Sequence, residues 1–473
     1  MGWNSWDAYG LTINEQQFRE NTTVLKEKLA SSGWRYAVVD EGWYFENPED
    51  RPRPDMLRYV IDSNGRYIPT RLRFPSAGKS ENTLVLVPKN SDHPLSQTAI
   101  NATIQKSEAD PGFKPLADWV HSQGLLFGIH IVRGIPRISV EWNLSVADSN
   151  YRAADAADTT DACPWDPTNW GVKDNAAGQA WYDSLLKQYA GWGVDLLKVD
   201  CISDHPYKAD EIRMIRRAID KTGRPMVLSL SPGPTAVEHA DEVAKLSTMW
   251  RISNDVWDVW ANPKPTDFPQ DIRGQFDRAA QWVPFDLDSG HWPDLDMLPL
   301  GELRPSPGWG KPRTTRLTSD EQKTLLTLWA IKQSPLILGA NLTLLDDATL
   351  RLLTNRDWIA LDQLADMAGG RMQPDPGGIN APLPKRYKNL SIWFASELKD
   401  KPAQKSRAYA ALFNLGDTPL SVDLPLSQLN LGQEKSRGHS VQLYDVWAQR
   451  SFGTVSRVKA TIPPHGCLLL ERR

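Results

Sequence analysis

The sequence predicts an α/β protein in which a (β/α)8 barrel is followed by a C-terminal antiparallel β-sandwich. Three observations carry that prediction. From the start to about residue 365, short apolar runs alternate with helical patterns in about eight units, as a parallel barrel requires. No Gly-x-Gly-x-x-Gly follows a strand-like run, which argues against an open dinucleotide-binding sheet. After Leu364 the texture changes to short alternating runs split by Gly, Pro and Asp, the pattern of an antiparallel sandwich. The boundary is placed in the Gly/Pro-rich seam, giving a barrel over 1–366 and a sandwich over 367–473.

The elements follow in order. Met1–Trp6 reads as the first strand, and a helix from about Asn14 to Ser32 follows, with Asn14 as its N-cap and Gly33 as its stop. Tyr36–Asp40 is the second strand. A long excursion over about 43–114, rich in Pro, Asn and charge, precedes a helix at Leu116–Gln123 and a third strand at Leu125–Val132. Loops of that length are uncommon and usually functional. A second long loop, Arg133–Val172, leads to a helix near Ala176–Tyr189.

Gly191 and Gly193 close that helix. Val194–Val199 is then nearly all apolar, as a strand covered on both faces is. Helix Lys208–Lys221, strand Pro225–Ser231 and strand Thr248–Ile252 follow, then a segment near His291–Leu298. Helix Ser319–Gln333, capped by Thr318 or Ser319, precedes the last barrel strand at Pro335–Leu338. Strand-like runs at Leu390–Ala395, Ala408–Asn414, Val441–Trp447 and Cys467–Leu470 make the sandwich.

Composition narrows the function. The 473 residues carry 40% hydrophobic and 24% charged side chains with a net charge of -4. There is no basic footprint for nucleic acid and no apolar run long enough for a membrane span. Three cysteines exclude a disulfide framework, though one bridge is allowed, and no Cys/His spacing marks a metal site. The chain opens as though inside a strand, so an upstream segment is expected to be missing from this numbering, and a secreted or periplasmic location is expected.

In a barrel the active site lies at the C-terminal ends of the strands. Those ends supply Trp3 and Trp6, Asp40-Glu41 with Trp43, His130, Lys198 and Asp200, Ser229 and Ser231, Arg251 and Asp255, and Asp294 and Asp296. Carboxylates, two cations and indoles at one mouth are the chemistry a neutral sugar demands: hydroxyls need donors and acceptors, and C–H faces stack on aromatic rings. Glycoside hydrolysis needs two carboxyl groups, and Asp200 and Asp255 stand at the ends of separate strands. Lys198, two residues before Asp200 and on the same strand face, favours an ionised Asp200. An anionic neighbour would favour a protonated Asp255. The alternatives are structural: a strand-capping ion pair for Lys198 and Asp200, a helix N-cap at Asp255 opening Val256–Trp260, a strand-end turn at Asp40-Glu41 and a core histidine at His130. A metal-ligating role for Asp40, Glu41, His130 and Asp296 has no spacing signature behind it, so no metal or cofactor is expected.

Met1-Gly2-Trp3-Asn4-Ser5-Trp6, Val39-Asp40-Glu41-Gly42-Trp43, Leu197-Lys198-Val199-Asp200, Met249-Trp250-Arg251 with Asp255, and His291-Trp292-Pro293-Asp294-Leu295-Asp296-Met297-Leu298 occur in that order. Together they resemble glycoside hydrolase family 27, the α-galactosidase and α-N-acetylgalactosaminidase group of clan D, over the whole barrel and into the sandwich. The resemblance implies a retaining double displacement with Asp200 as nucleophile and Asp255 as acid/base. It implies substrate contacts from Trp3, Asp40, Glu41, Lys198, Arg251 and Asp296, and a disulfide between Cys163 and Cys201. Trp43, His130 and Ser231 join the substrate contacts from their places at the strand ends, His130 standing where vertebrate members have tyrosine and Ser231 in a loop that departs from the family's. Asp40-Glu41 departs from the family's usual Asp-Asp. The extra methylene of Glu41 pushes a carboxylate toward the position of a galactose C6 group, which would favour β-L-arabinopyranose, a sugar lacking that group. The sequence therefore ranks an exo-α-galactosidase first and a β-L-arabinopyranosidase second, acting on galactose- or arabinopyranose-containing oligo- or polysaccharides. From another class, a catalytically silent carbohydrate-binding protein would have no need of the carboxylate pair.

Overall fold

The computed structural model describes residues 1–50, 57–78, 83–86, 101–105, 111–166, 168–204, 206–263, 268–285, 290–303, 311–366, 373–375, 385–396, 407–429, 431 and 440–473. Eight parallel strands form the barrel wall: β1 Gly2–Asn4, β2 Tyr36–Val39, β3 Leu126–Val132, β4 Leu196–Asp200, β5 Val227–Leu230, β6 Met249–Arg251, β7 Trp292–Asp294 and β8 Ile337–Leu338. Their order is β7-β6-β5-β4-β3-β2-β1-β8. The ring closes beyond β7, where Leu298 bridges Leu338 in parallel and its N–H donates to the Ile337 carbonyl at 2.8 Å.

Helices connect successive strands, among them Glu15–Val24, Lys114–Ser122, Ala176–Trp192, Ala209–Thr222 and Ser319–Lys332. Their ends follow local chemistry. Asn14 and Gln17 form a reciprocal capping box, as do Thr318 and Glu321. Gly193, at φ +88°, adopts the left-handed turn that ends Ala176–Trp192 directly before β4.

Two expectations change. The helix from Asn14 to Ser32 is helical in the α sense only to Val24; one π-helical turn, Leu25–Leu29, and a 3-10 turn, Ala30–Ser32, complete it. The segment 291–298 is not one strand. Asp296 takes φ +88° and turns its backbone out of register between β7 and the closing Leu298.

The long excursions carry structure of their own. Arg58–Ile61, Thr83–Leu86 and Asn101–Gln105 form one small sheet, and Ile135–Pro136, Ala157–Ala162 and Asn169–Val172 another. Both stand on the mouth side of the barrel, between β2 and the helix before β4.

The C-terminal region pairs β9 Gln373–Asp375, β10 Leu390–Ser396, β11 Ala408–Asn414, β12 Leu420–Pro425, β13 Val441–Asp445, β14 Arg450–Val455, β15 Arg457–Ile462 and β16 Cys467–Arg472. A six-stranded sheet, β9-β10-β11-β16-β13-β14, faces the two-stranded β12-β15. Strand alternation separates two cores. Ile392, Leu412 and Leu470 pack between the sheets with Leu424 and Val458, while Trp393, Ala411, Phe413 and Leu469 pack on the barrel. Every residue of β11 is buried because both of its faces are covered. Phe413 meets Phe276 of the barrel with ring centroids 4.9 Å apart. The boundary placed at 366/367 borders residues 367–372, outside the described residues.

Candidate active site

Strand alternation turns Asn4, Lys198, Asp200 and Arg251 into the barrel at its C-terminal mouth, and Asp40 follows β2 at the same level. Lys198 Nζ donates to Asp40 Oδ2 at 2.9 Å, and Asn4 Nδ2 donates to the same oxygen at 2.6 Å. The Glu41 N–H donates to Asp40 Oδ1 at 2.8 Å, and the Asp40 N–H donates to Ser5 Oγ at 3.0 Å. Burial pushes the Asp40 carboxyl up, but Lys198 and His130 outweigh it, and it lies well below the ordinary carboxylate range. Burial would likewise strip Lys198 of its proton; Asp40 and Asp200 reverse that and hold it above the usual lysine value.

Asp200 closes β4. Its Oδ1 accepts the Cys201 N–H at 2.5 Å, and its Oδ2 lies 3.4 Å from His130 Nε2. Burial works against the anion here too, yet His130, Lys198 and the Cys201 N–H bring its pKa below the ordinary value. His130 is driven down by burial and up by Asp40 and Asp200, and the carboxylates win. Lys198 and His130 thus favour the anionic forms of Asp40 and Asp200, and the two carboxylates favour the protonated forms of Lys198 and His130.

The second cluster forms on β6 and β7. Arg251 stands 2.7 Å from Asp296 Oδ1, and its Nη2 donates to Asp255 Oδ1 at 3.2 Å. No helix follows Asp255, and the Val256 N–H donates to Asp296 Oδ2 at 2.7 Å, so the capping role weighed for Asp255 is absent. Burial raises both Asp294 and Asp296 in this corner against the pull of Arg251, and Asp296, with Asp255 and Asp294 adding repulsion, is pushed up to about 7. Asp255 keeps 31% of its side chain exposed, against 3% for Arg251 and 4% for Asp296, so it is the member of the cluster that reaches the solvent-facing mouth. Ser231 joins Lys198, Arg251 and Asp296 around a small cavity at the floor.

Two assigned residues lie elsewhere. Trp3 is fully buried, its indole N–H donates to the Ala340 carbonyl at 2.7 Å, and its ring packs on Phe18 of an outer helix. Trp43 is also fully buried; it donates to the His130 carbonyl at 2.7 Å and packs on Phe113 and Trp192. Both are packed into the barrel wall, away from the mouth. The tryptophan that opens the helix at the mouth is Trp6, whose N–H donates to Asn4 Oδ1 at 2.8 Å. Glu41 is buried beside Asp40.

The sequence reading missed Asp7. It is buried, its Oδ2 has no hydrogen-bond partner among the described residues, and its carboxyl leaves no room for a Cβ at Gly339. Burial and the nearby Asp296 raise its pKa well above the ordinary value, with Lys198 opposing. Its only signal is its place directly after the Trp-Asn-Ser-Trp motif.

Cys163 and Cys201 form a disulfide with Cα atoms 5.9 Å apart, tying the loop after β3 to the residue following Asp200. The same loop is clamped by Arg133. Its guanidinium donates to the Cys201 carbonyl at 2.6 Å, to both Asp161 oxygens at 2.9 Å and to Glu211 at 2.7 Å.

Residues 173–364 match the family model of alpha galactosidase A, and residues 390–471 that of the alpha galactosidase C-terminal beta sandwich domain. An alpha-galactosidase of Oryza sativa subsp. japonica is 23% identical over 99% of this chain and 82% of its own. A family 27 β-L-arabinopyranosidase of Geobacillus stearothermophilus is 33% identical, with a TM-score of 0.80 over 100% of this chain and 95% of that one. A putative α-N-acetylgalactosaminidase of Bacillus halodurans is also 33% identical, with a TM-score of 0.76 over 100% and 96%. A chain so similar along its full length to proteins of one family shares their descent: it belongs to glycoside hydrolase family 27 and is a glycosidase of the α-galactosidase family.

Proposed function

We propose that this chain is a retaining exo-glycosidase that prefers terminal β-L-arabinopyranose and accepts terminal α-D-galactose less well. The observation that carries the mechanism is the setting of Asp200. It is anionic by virtue of His130, Lys198 and the Cys201 N–H, so it is a ready nucleophile. In the first step an Asp200 oxygen bonds to the anomeric carbon as the glycosidic bond breaks, and Asp255 gives its proton to the departing oxygen. In the second, Asp255 takes a proton from water, whose oxygen displaces Asp200 and restores the starting configuration. Lys198 and Asp40 bind sugar hydroxyls as donor and acceptor, and Arg251 orients Asp255. His130 and Ser231 line the floor.

The glycone preference rests on Glu41, which is buried next to Asp40 and whose side chain, one methylene longer than an aspartate, would take up room a C6 hydroxymethyl group needs. The arabinopyranosidase likeness, at 33% identity, supports it. The 23% identity to the rice alpha-galactosidase over 99% of this chain supports the second reading, an α-galactosidase. This order reverses the one drawn from sequence. Hydrolysis of nitrophenyl β-L-arabinopyranoside and nitrophenyl α-D-galactopyranoside, with chelator present, separates the two. The arabinoside should be turned over at least about tenfold more efficiently, the worth of fitting one small group. Equal efficiency, or a galactoside preference, rejects the reading.

A further inference from the structure

We propose that Trp165 is the platform that binds the sugar ring on the leaving-group side of the scissile bond, which rests on the glycosidase reading above. Trp165 is 37% exposed, although it lies between Cys163 at 5% and Asp166 at 3%. Cys163 is bonded to Cys201 and so to the mouth of β4. Asp166 Oδ1 accepts the Thr168 N–H at 2.8 Å, which fixes the other end of the turn. Trp165 thus keeps over a third of its surface open between two buried anchors.

The tether also sets its reach. With the disulfide Cα atoms 5.9 Å apart, Trp165 Cα lies no more than about 13 Å from Cys201 Cα. Cys201 is the residue directly after Asp200, so the indole stands within reach of the rim of this site. The floor below is closed by packed barrel side chains, so whatever is attached to the bound glycone must extend outward across the rim. A pyranose there presents an apolar C–H face, and an indole is the flat surface that fits it. Arg133 holds Asp161, just before the turn, and the Cys201 carbonyl together, so little ordering is left to be done when a ring binds.

The test compares two substrates of the same glycone: β-L-arabinopyranosyl fluoride, whose leaving group has no ring, and a disaccharide of β-L-arabinopyranose linked to galactose. For Trp165→Ala the ratio of kcat/KM on the disaccharide to that on the fluoride should fall roughly 2- to 13-fold, chiefly through KM, the size of one aromatic contact. Trp165→Phe should recover most of that ratio. A ratio within twofold of the wild type, or a Trp165→Phe as poor as the alanine variant, overturns the platform. A wild-type enzyme idle on both arabinosides rejects the glycone reading, and the same ratio is then read on α-D-galactopyranosyl fluoride and an α-galactosyl disaccharide, where a value within twofold of the wild type overturns the platform.

Discussion

Lys198 and Asp40 meet at 2.9 Å across the barrel mouth from strands that are not neighbours, with β3 and its His130 between them. Both side chains are largely buried, at 15% and 2% exposure, so neither charge can fall back on water if the other is lost. Removing one partner of such a pair costs about 3–5 kcal/mol, because a buried charge is left uncompensated. Lys198→Ala should lower the unfolding free energy by about that amount in urea titrations. Lys198→Ala with Asp40→Asn should recover part of it. Additive losses would mean that the two residues do not act as a pair.

Asp296 makes stability depend on pH in the direction opposite to Asp40 and Asp200. Its carboxyl titrates at about 7 in the folded protein against 3.8 ordinarily, so between those values the native state holds a proton that the unfolded chain has released. That contribution is complete below about pH 4 and is lost as pH rises through 7. Asn is neutral throughout. The Tm of Asp296→Asn relative to wild type should therefore rise between pH 4.5 and pH 7.5, read by thermal melts at matched ionic strength. A relative Tm that stays level, or falls, contradicts the assignment.

The Cys163–Cys201 bridge closes a separation of 38 residues. Loop-closure entropy then gives a stabilisation of about 3–4 kcal/mol. Cys163→Ala should lose that much in denaturant titrations. It should also lower kcat/KM, since Cys201 positions Asp200 through its N–H. A variant that is less stable but fully active would make the bridge a brace only.

Glu41→Asp tests the glycone preference at its source. Trimming one methylene should raise kcat/KM for the α-galactoside relative to the β-L-arabinopyranoside by about 10- to 200-fold. A shift below about threefold is under 1 kcal/mol and would mean that Glu41 does not crowd C6.

Much of this fold was legible because apolar runs and caps are local. Seven of the eight barrel strands lie on the apolar runs read from sequence, the seventh in order being only the Trp292–Asp294 part of the segment near His291–Leu298, and Asn14 and Thr318 cap as their side chains dictate. The break after Asp294 was not legible, since nothing local to Leu295–Leu298 announces the positive φ of Asp296. In the site, charges at strand ends could be read because a carboxylate or lysine beside a buried strand is anomalous there. Tryptophans could not: an indole at a strand end looks the same whether it faces sugar, as proposed for the rim, or an outer helix, as Trp3 does. Alternation from Asn4, which faces in, places Trp3 outside. Asp7 escaped because it packs against Gly339, beside it in space but far from it along the chain, which no sequence pattern connects to it.

The most direct test of the account is to find which residue becomes bonded to the sugar. Incubation with an activated 2-deoxy-2-fluoro glycoside slows the second step and traps the intermediate of a retaining enzyme. Digestion and mass spectrometry should find one sugar per chain, on the peptide containing Asp200, with Asp200→Ala unlabelled. A label on any other carboxylate, or no label with an inverted first product by NMR, would contradict the account.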